Sequence, residues 1–204
     1  MEAGRSHDPG QLLRAELPGA FFRPSQAEEV GVSRHQLRTL VRRGVVERVG
    51  RGLYRFMDAE PTEHYSIALA CARVPNSIVC LLSALSVHGV GTQLPREVWL
   101  AIPHKAEPPR VAEIRLRLVR FSGAAWAYGI QNTAFEGVPA RITSPARTVV
   151  DCFRYRNKIG LDVAMEALQD AVRSHKATIA EIDRAAEVFR VQRIIAPYLE
   201  ALSV

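Results

Sequence analysis

The N-terminal part of the chain alternates short apolar runs with residues that begin and end helices. Asp8 and Pro9 fit the cap and the first position of a helix, and Pro18 ends it. A short extended segment at 21–22 precedes a second helix over 24–30. The pattern therefore predicts two short helices separated by a piece of strand.

A third helix has the clearest start signal in the sequence. Ser33 fits the N-cap, with Gln36 three residues later as its capping-box partner, and Gly44 ends the helix. A helical wheel separates an apolar face from a polar one: Leu37, Leu40 and Val41 against His35, Arg38, Thr39 and Arg42. One face is thus predicted to pack and the other to remain free for DNA.

Two β-prone runs follow the third helix and predict a hairpin. Residues 45–49 and 53–56 flank Gly50-Arg51-Gly52, which predicts a three-residue loop with Arg51 outermost. Three helices followed by a hairpin give the order of a winged helix-turn-helix, whose third helix enters the major groove of DNA. A winged helix used for protein contact is the alternative.

The positive charge is concentrated in the same segment. The net charge is +6, and residues 34–55 contain seven arginines against one acid, Glu47. Arginine forks suit phosphate and guanine contacts, although a solvated basic face would have the same composition. The predicted DNA-binding residues are Arg34, His35, Arg38, Thr39, Arg42, Arg43, Arg48 and Arg51.

Beyond position 61 the pattern predicts a second domain of mixed helices and strands. The polar, Pro-containing segment 58–61 indicates a linker, so we place a winged helix-turn-helix domain over 1–57 and another domain over 62–204. The predicted helices cover 62–73 and 77–87, the strands cover 98–102, 113–120 and 141–143, and a hairpin turn covers 135–138.

The C-terminal third is predicted to be helical. Ser144 and Pro145 begin a helix in which Arg147 and Asp151, four residues apart, suit an exposed ion pair worth a few tenths of a kcal/mol. Three more helices follow over 161–172, 178–189 and 190–202. The predicted fold class is α+β: a winged helix-turn-helix, then a mixed α/β domain with antiparallel strands and C-terminal helices.

The sequence contains few of the motifs that carry catalysis. It has no P-loop, no dinucleotide-binding glycine motif and no nucleophile elbow. His64, His88 and His104 lack a second ligand at i+3 or i+4, so structural roles are predicted for them. We therefore expect a protein that is not an enzyme and has no catalytic residues, metal or cofactor.

The remaining composition favours a cytoplasmic globular protein. No apolar run reaches the length of a membrane span, and the polar N-terminus does not resemble a secretion signal. Cys71, Cys80 and Cys152 are widely spaced and odd in number, which indicates reduced core thiols. No membrane partner is expected.

Three stretches together resemble one family. They are SRHQLRTLVRRGVVERVGRGLYRF at 33–56, SALSVHGV at 83–90 and ITSPARTVVD at 142–151. In order and spacing they are similar to AbiEi-type antitoxins, the transcription-regulating partners in type IV toxin-antitoxin and phage abortive-infection systems. The resemblance covers most of residues 8–155.

The resemblance implies a division of labour. The winged domain would repress its own operon by binding inverted repeats in promoter DNA, as a monomer or weak dimer paired on DNA. The C-terminal domain would counter a nucleotidyltransferase-like toxin, with or without touching it. The basic groups expected for that antitoxin surface are Arg115, Arg117, Arg147, Arg154 and Arg156.

Two other functions are compatible with parts of the sequence. One is a winged-helix regulator whose C-terminal domain senses a small molecule or dimerises. The other is a nucleic-acid enzyme that uses the winged helix for targeting. The absence of any Glu-x-Lys, the usual ending of a metal-dependent nuclease site, disfavours the enzyme.

Overall fold

The computed structural model describes residues 8–202, which form two compact units. The first unit extends to Ala72 and also includes Ala134–Pro139, and the second comprises Arg73–Thr133 and the chain from Ala140 onward. The boundary between these units therefore falls after the predicted linker at 58–61. Independent domains over 1–57 and 62–204 stay a prediction.

The first unit has the predicted order of helices and strands. Its elements are α1 (Pro9–Glu16), β1 (Phe21–Phe22), α2 (Pro24–Glu29), α3 (Arg34–Arg42), β2 (Val46–Gly50), β3 (Leu53–Phe56) and α4 (Tyr65–Arg73). β3 lies between β1 and β2 and pairs with both in antiparallel fashion. The expected winged helix-turn-helix arrangement is confirmed.

A small apolar core joins the three N-terminal helices to this sheet. Leu13 of α1, Leu37 and Leu40 of α3, and Phe22 and Phe56 of the strands are all buried in it. The rings of Phe22 and Phe56 lie 5.0 Å apart, centroid to centroid. Burial of both leucines fixes the rotation of α3 and leaves its opposite face exposed.

The hairpin turn is tighter than the sequence suggested. Gly50 pairs with Leu53, so Arg51 and Gly52 alone form the connection, and the register shifts between Arg48 and Gly50. Gly52 has a φ of +67°, which glycine adopts without steric cost. The predicted three-residue loop is thus a two-residue turn with an irregularity before it.

The second unit packs helices against a mixed sheet. Its elements are β4 (Ile78–Val79), α5 (Leu81–His88), β5 (Val98–Pro103), β6 (Leu116–Phe121), α6 (Ala124–Ala127), β7 (Ile130–Phe135), β8 (Val138–Thr143), α7 (Pro145–Arg154), α8 (Arg156–Ile159), α9 (Leu161–Arg173), α10 (Ile179–Val188) and α11 (Gln192–Leu202). The tip of the β7–β8 hairpin, from position 134 to position 139, is counted with the first unit.

The five strands are ordered β6-β5-β4-β8-β7, and they are not all antiparallel. β4 pairs antiparallel with β5, whereas β5–β6 and β4–β8 are parallel pairs. The connection over 104–115 gives the chain the length needed to return and lie parallel to β5. The expectation of antiparallel strands was therefore right only in part, while the α+β class is confirmed.

The predicted helix over 77–87 was wrong at its start. Ile78 and Val79 form the central strand β4, and the helix begins only at Leu81. A strand covered on both faces is a continuous apolar run without alternation, which periodicity alone does not separate from a buried helix. Leu81 has a φ of +50° at this change from strand to helix.

Two further expectations concern thiols and membranes. The three cysteines are buried free thiols, as predicted, and burial raises the pKa of each thiol, that of Cys71 to about 12. Such thiols stay protonated and unreactive. Within residues 8–202, no helix combines the length and apolar character needed to span a membrane.

Candidate nucleic-acid interface

The N-terminus of α3 is fixed by the predicted capping box. The Gln36 amide donates to Ser33 Oγ, and the Ser33 amide donates to Gln36 Oε1 at 2.8 Å. Val32, just before the cap, is buried in the same cluster as Leu37. These contacts hold the first turn of α3, the part of a recognition helix that reaches base edges.

The exposed face of α3 carries the predicted polar residues. Arg34, His35, Arg38 and Arg42 are exposed, and so is Arg43 at the C-cap. Thr39 is half-buried, its hydroxyl donates to the His35 carbonyl at 3.2 Å, and it accepts from Arg42 Nη2 at 3.3 Å. The structure therefore brings six of the eight predicted DNA-binding residues onto or beside one helix.

The hairpin supplies the other two residues. Arg48 on β2 and Arg51 in the turn are both exposed. A groove runs between α3 and the hairpin and is lined by His35, Arg38, Val41, Arg42, Arg48 and Tyr54. A concave surface with three arginines along its walls suits a polyanion such as the DNA backbone.

Tyr54 is a groove residue that the sequence analysis did not select. Its ring stacks on Phe22 with centroids 5.9 Å apart, and its side chain contributes to the groove between Arg38 and Arg48. Tyr54 shares its strand face with Phe56, which is buried in the core, so alternation along β3 gave no signal for its exposure in the groove. A tyrosine hydroxyl here is a candidate phosphate donor.

Not every arginine in the basic segment faces solvent. Arg55 is buried, where it forms an ion pair with Glu47 at 3.4 Å and donates to the Ala59 carbonyl. Its guanidinium also lies 5.4 Å from the centre of the Tyr65 ring. Arg55 is therefore part of the packing of the first unit and adds nothing to the exposed cationic face.

The exposed arginines differ in how they are held. Arg34 Nε lies 2.6 Å from Glu28 Oε1, and Arg43 Nη1 lies 3.1 Å from Asp8 Oδ1. Among residues 8–202, neither Arg38 nor Arg51 has an ion-pair partner. Within the same residues Arg42 and Arg48 also lack ion pairs, but they donate to Thr39 Oγ1 and to the Gly50 carbonyl. Arg38 and Arg51 are therefore the cations most available to an incoming anion.

A comparison with known protein families matches this same segment. Residues 11–56 match the family described as "Transcriptional regulator, AbiEi antitoxin". The N-terminal segment of the chain is therefore similar to AbiEi antitoxin transcriptional regulators. The matched segment runs from α1 to the end of the hairpin and contains all eight predicted DNA-binding residues.

Comparison of whole structures supports the α+β fold. The chain is similar to the crystal structure of the RV2827C protein from Mycobacterium tuberculosis, with a TM-score of 0.54 and 16 % sequence identity. The similarity covers 88 % of this chain and 70 % of that one. None of the curated protein sequences matches the chain.

In the second unit, the predicted antitoxin surface needs correction. Arg147 and Asp151 form the expected i, i+4 pair at 2.8 Å, but both side chains have 0 % exposure, so Arg147 cannot belong to an exposed surface. Arg147 Nη1 donates to the Tyr128 carbonyl at 2.7 Å and Nη2 to the Ala125 carbonyl at 3.3 Å. Its guanidinium lies 3.9 Å from the centre of the Phe189 ring.

Arg154 and Arg156, also predicted for the antitoxin surface, both donate hydrogen bonds to residues of α7. Arg154 donates to Asp151 Oδ1 at 2.7 Å, and Arg156 donates to the Phe153 carbonyl at 2.9 Å. Both are half-buried. Arg115, just before β6, and Arg117, within β6, are both exposed. The Arg117 guanidinium lies 5.6 Å from the centre of the Trp99 ring.

Burial and ion pairing act in opposite directions on the two buried charges. Burial lowers the pKa of Arg147 and raises that of Asp151, while the ion pair between them acts in the opposite direction on each group. Each charge is therefore tolerated in the core because the other is present.

The predicted structural histidines are not gathered into a site. His88 Nε2 lies 2.7 Å from the Thr143 carbonyl, and burial lowers the pKa of His88. Within the part of the chain that the structure describes, no cluster of three or more His, Cys, Asp or Glu residues could hold a metal ion.

Proposed function

We propose that the chain is a transcriptional autorepressor that binds inverted repeats in its own promoter through α3 and the hairpin. The observation that carries the proposal is the exposed cationic face of α3, continued by Arg48 and Arg51 across the groove. The match of residues 11–56 to a family of transcriptional regulators supports it.

The arrangement suggests a role for each part. The first turns of α3 would enter the major groove, where Arg34, His35 and Arg38 would reach base edges. The hairpin turn would place Arg51 against a phosphate or the minor groove. Two copies of the chain would occupy the two halves of an inverted repeat, as a monomer or weak dimer in solution.

We further propose that the second unit acts as the antitoxin of a type IV system and counters a nucleotidyltransferase-like toxin. In this role the chain would act in the cytoplasm and would not be an enzyme. The exposed Arg115 and Arg117 are the part of the predicted antitoxin surface that solvent or a partner can reach. Physical contact with the toxin is not required by the proposal.

Footprinting on the chain's own promoter tests the autorepressor directly. The expected result is protection of two half-sites related by an inverted repeat, together with lower expression of a reporter placed behind that promoter. Uniform, sequence-independent protection, or no effect on the reporter, would contradict the proposal.

A further inference from the structure

An acidic residue lies beside the cationic face of α3 and contacts its first residue. Glu28 is in the last turn of α2, and its Oε1 lies 2.6 Å from Arg34 Nε. Both side chains are partly exposed, at 42 % and 73 %. Arg34 begins α3, so its guanidinium is at the end of the helix that meets base edges.

The contact with Glu28 restricts what Arg34 can offer to DNA. A guanidinium has five N–H donors in a planar fork, and Glu28 uses the one on Nε. The two Nη nitrogens remain, and they form the pair that matches the O6 and N7 acceptors of guanine. An arginine without such a restraint is equally able to turn toward the nearest phosphate.

We propose that Glu28 is a positioning residue for DNA specificity, which holds Arg34 so that its Nη groups bind one guanine. The inference rests on the DNA-binding function proposed above. Exposed ion pairs contribute little to folding, and a carboxylate beside a phosphate backbone weakens general attraction. Selectivity for a base gives a reason for an acid beside this cationic face.

The next residue provides a matched control. Glu29 ends α2, is exposed, and forms no ion pair within residues 8–202. Glu28→Ala and Glu29→Ala remove the same charge at nearly the same place. Only Glu28→Ala releases Arg34.

The experiment uses the full chain and DNA selected by the wild type from a random duplex pool. Affinities are measured by fluorescence anisotropy for the selected duplex, for duplexes with each G·C pair changed to A·T, and for an unrelated duplex. We expect Glu28→Ala to reduce the preference for one G·C pair by about tenfold, the size of one bidentate contact. Glu28→Gln, which keeps an acceptor oxygen, should lose less of this preference.

Three comparisons decide the outcome. Glu29→Ala should bind the unrelated duplex more tightly, as Glu28→Ala does, but keep the full preference. Arg34→Ala should lose preference at the same base pair, and adding Glu28→Ala to it should cause no further loss. Unchanged preference in Glu28→Ala, or an equal loss in Glu29→Ala, would overturn the inference.

The result also separates this inference from the proposed function. If the wild type selects a site and Glu28→Ala keeps its preference, the positioning role fails and DNA binding stands. If the wild type selects no sequence from the pool, both fail.

Discussion

At the scale of single residues, Arg147 has the largest expected effect on stability. It donates to Asp151 and to two backbone carbonyls from a fully buried position. Arg147→Ala would leave Asp151 in the core with Arg154 as its remaining ionic partner. We expect a loss of about 3 kcal/mol in the free energy of unfolding, measured by urea denaturation.

The control for this prediction is Arg115→Ala, which should change the free energy of unfolding by less than about 0.5 kcal/mol because Arg115 is exposed. Replacing the pair together, as Arg147→Met with Asp151→Leu, should be less harmful than Arg147→Ala alone. Equal stability of Arg147→Ala and wild type would mean that the buried pair does not form in solution.

The same residue gives a pH prediction. Burial raises the pKa of Asp151 and the charge on Arg147 lowers it, so Arg147→Ala should raise the folded-state pKa further above the unfolded value. A raised carboxyl pKa costs stability when the group is ionised, and the cost disappears when both states are protonated. The stability deficit of Arg147→Ala should therefore shrink as the pH falls from 7 toward 4. Urea titrations across this range would measure it, and a deficit that grows on acidification would contradict the assignment.

At the scale of elements, the helices and the hairpin could be predicted because their signals are local. The Ser33 and Thr178 capping boxes, and Ser144 with Pro145, each mark a helix start within a few residues of its position in the structure. The apolar face of α3 likewise follows from spacing alone. These features need no knowledge of the rest of the chain.

Two features depended on tertiary neighbours and could not be predicted in this way. Ile78 and Val79 are a strand only because β5 and β8 flank them. The pair of Arg147 and Asp151 has the same spacing whether exposed or buried, and the packing of Phe121 and Phe189 against Arg147 decides between the two. For the same reason, the number of arginines in the basic segment does not show that Arg55 is buried.

The hairpin supports a prediction about salt dependence. Arg51 lies in the exposed turn and should contact a phosphate, so Arg51→Ala should weaken binding to operator and unrelated DNA by similar factors. The slope of log affinity against log salt should flatten by about 0.9, the value for one phosphate contact. Anisotropy titrations at several salt concentrations would measure the slope. A selective loss on the operator alone would instead make Arg51 a base-reading residue.

At the scale of the whole molecule, charge separates the proposed roles. Residues 1–57 have 10 Lys and Arg against 6 acids, and residues 58–204 have 17 against 15. DNA affinity should therefore reside mainly in the first part of the chain. The second part has a nearly balanced charge in which exposed Arg115 and Arg117 are local basic groups.

This arrangement predicts separable defects. Combining Arg115→Ala with Arg117→Ala should leave folding and promoter binding unchanged and should reduce rescue of cells that express the toxin. Growth of such cells, with soluble protein levels matched, is the measurement. Full rescue by this double variant would show that Arg115 and Arg117 are not part of the antitoxin surface.

The central claim is that α3 reads the chain's own promoter DNA, and Arg38 tests it most directly because it is exposed in the groove and free of ion pairs within residues 8–202. The control is Arg184→Ala, because Arg184 is an exposed arginine on α10 of the second unit. The measurement is the affinity of wild type, Arg38→Ala and Arg184→Ala for the promoter duplex at one fixed salt concentration. We predict that Arg38→Ala loses about 1 to 3 kcal/mol and sequence preference, while Arg184→Ala binds as the wild type does. Equal affinity of Arg38→Ala and wild type would contradict the account.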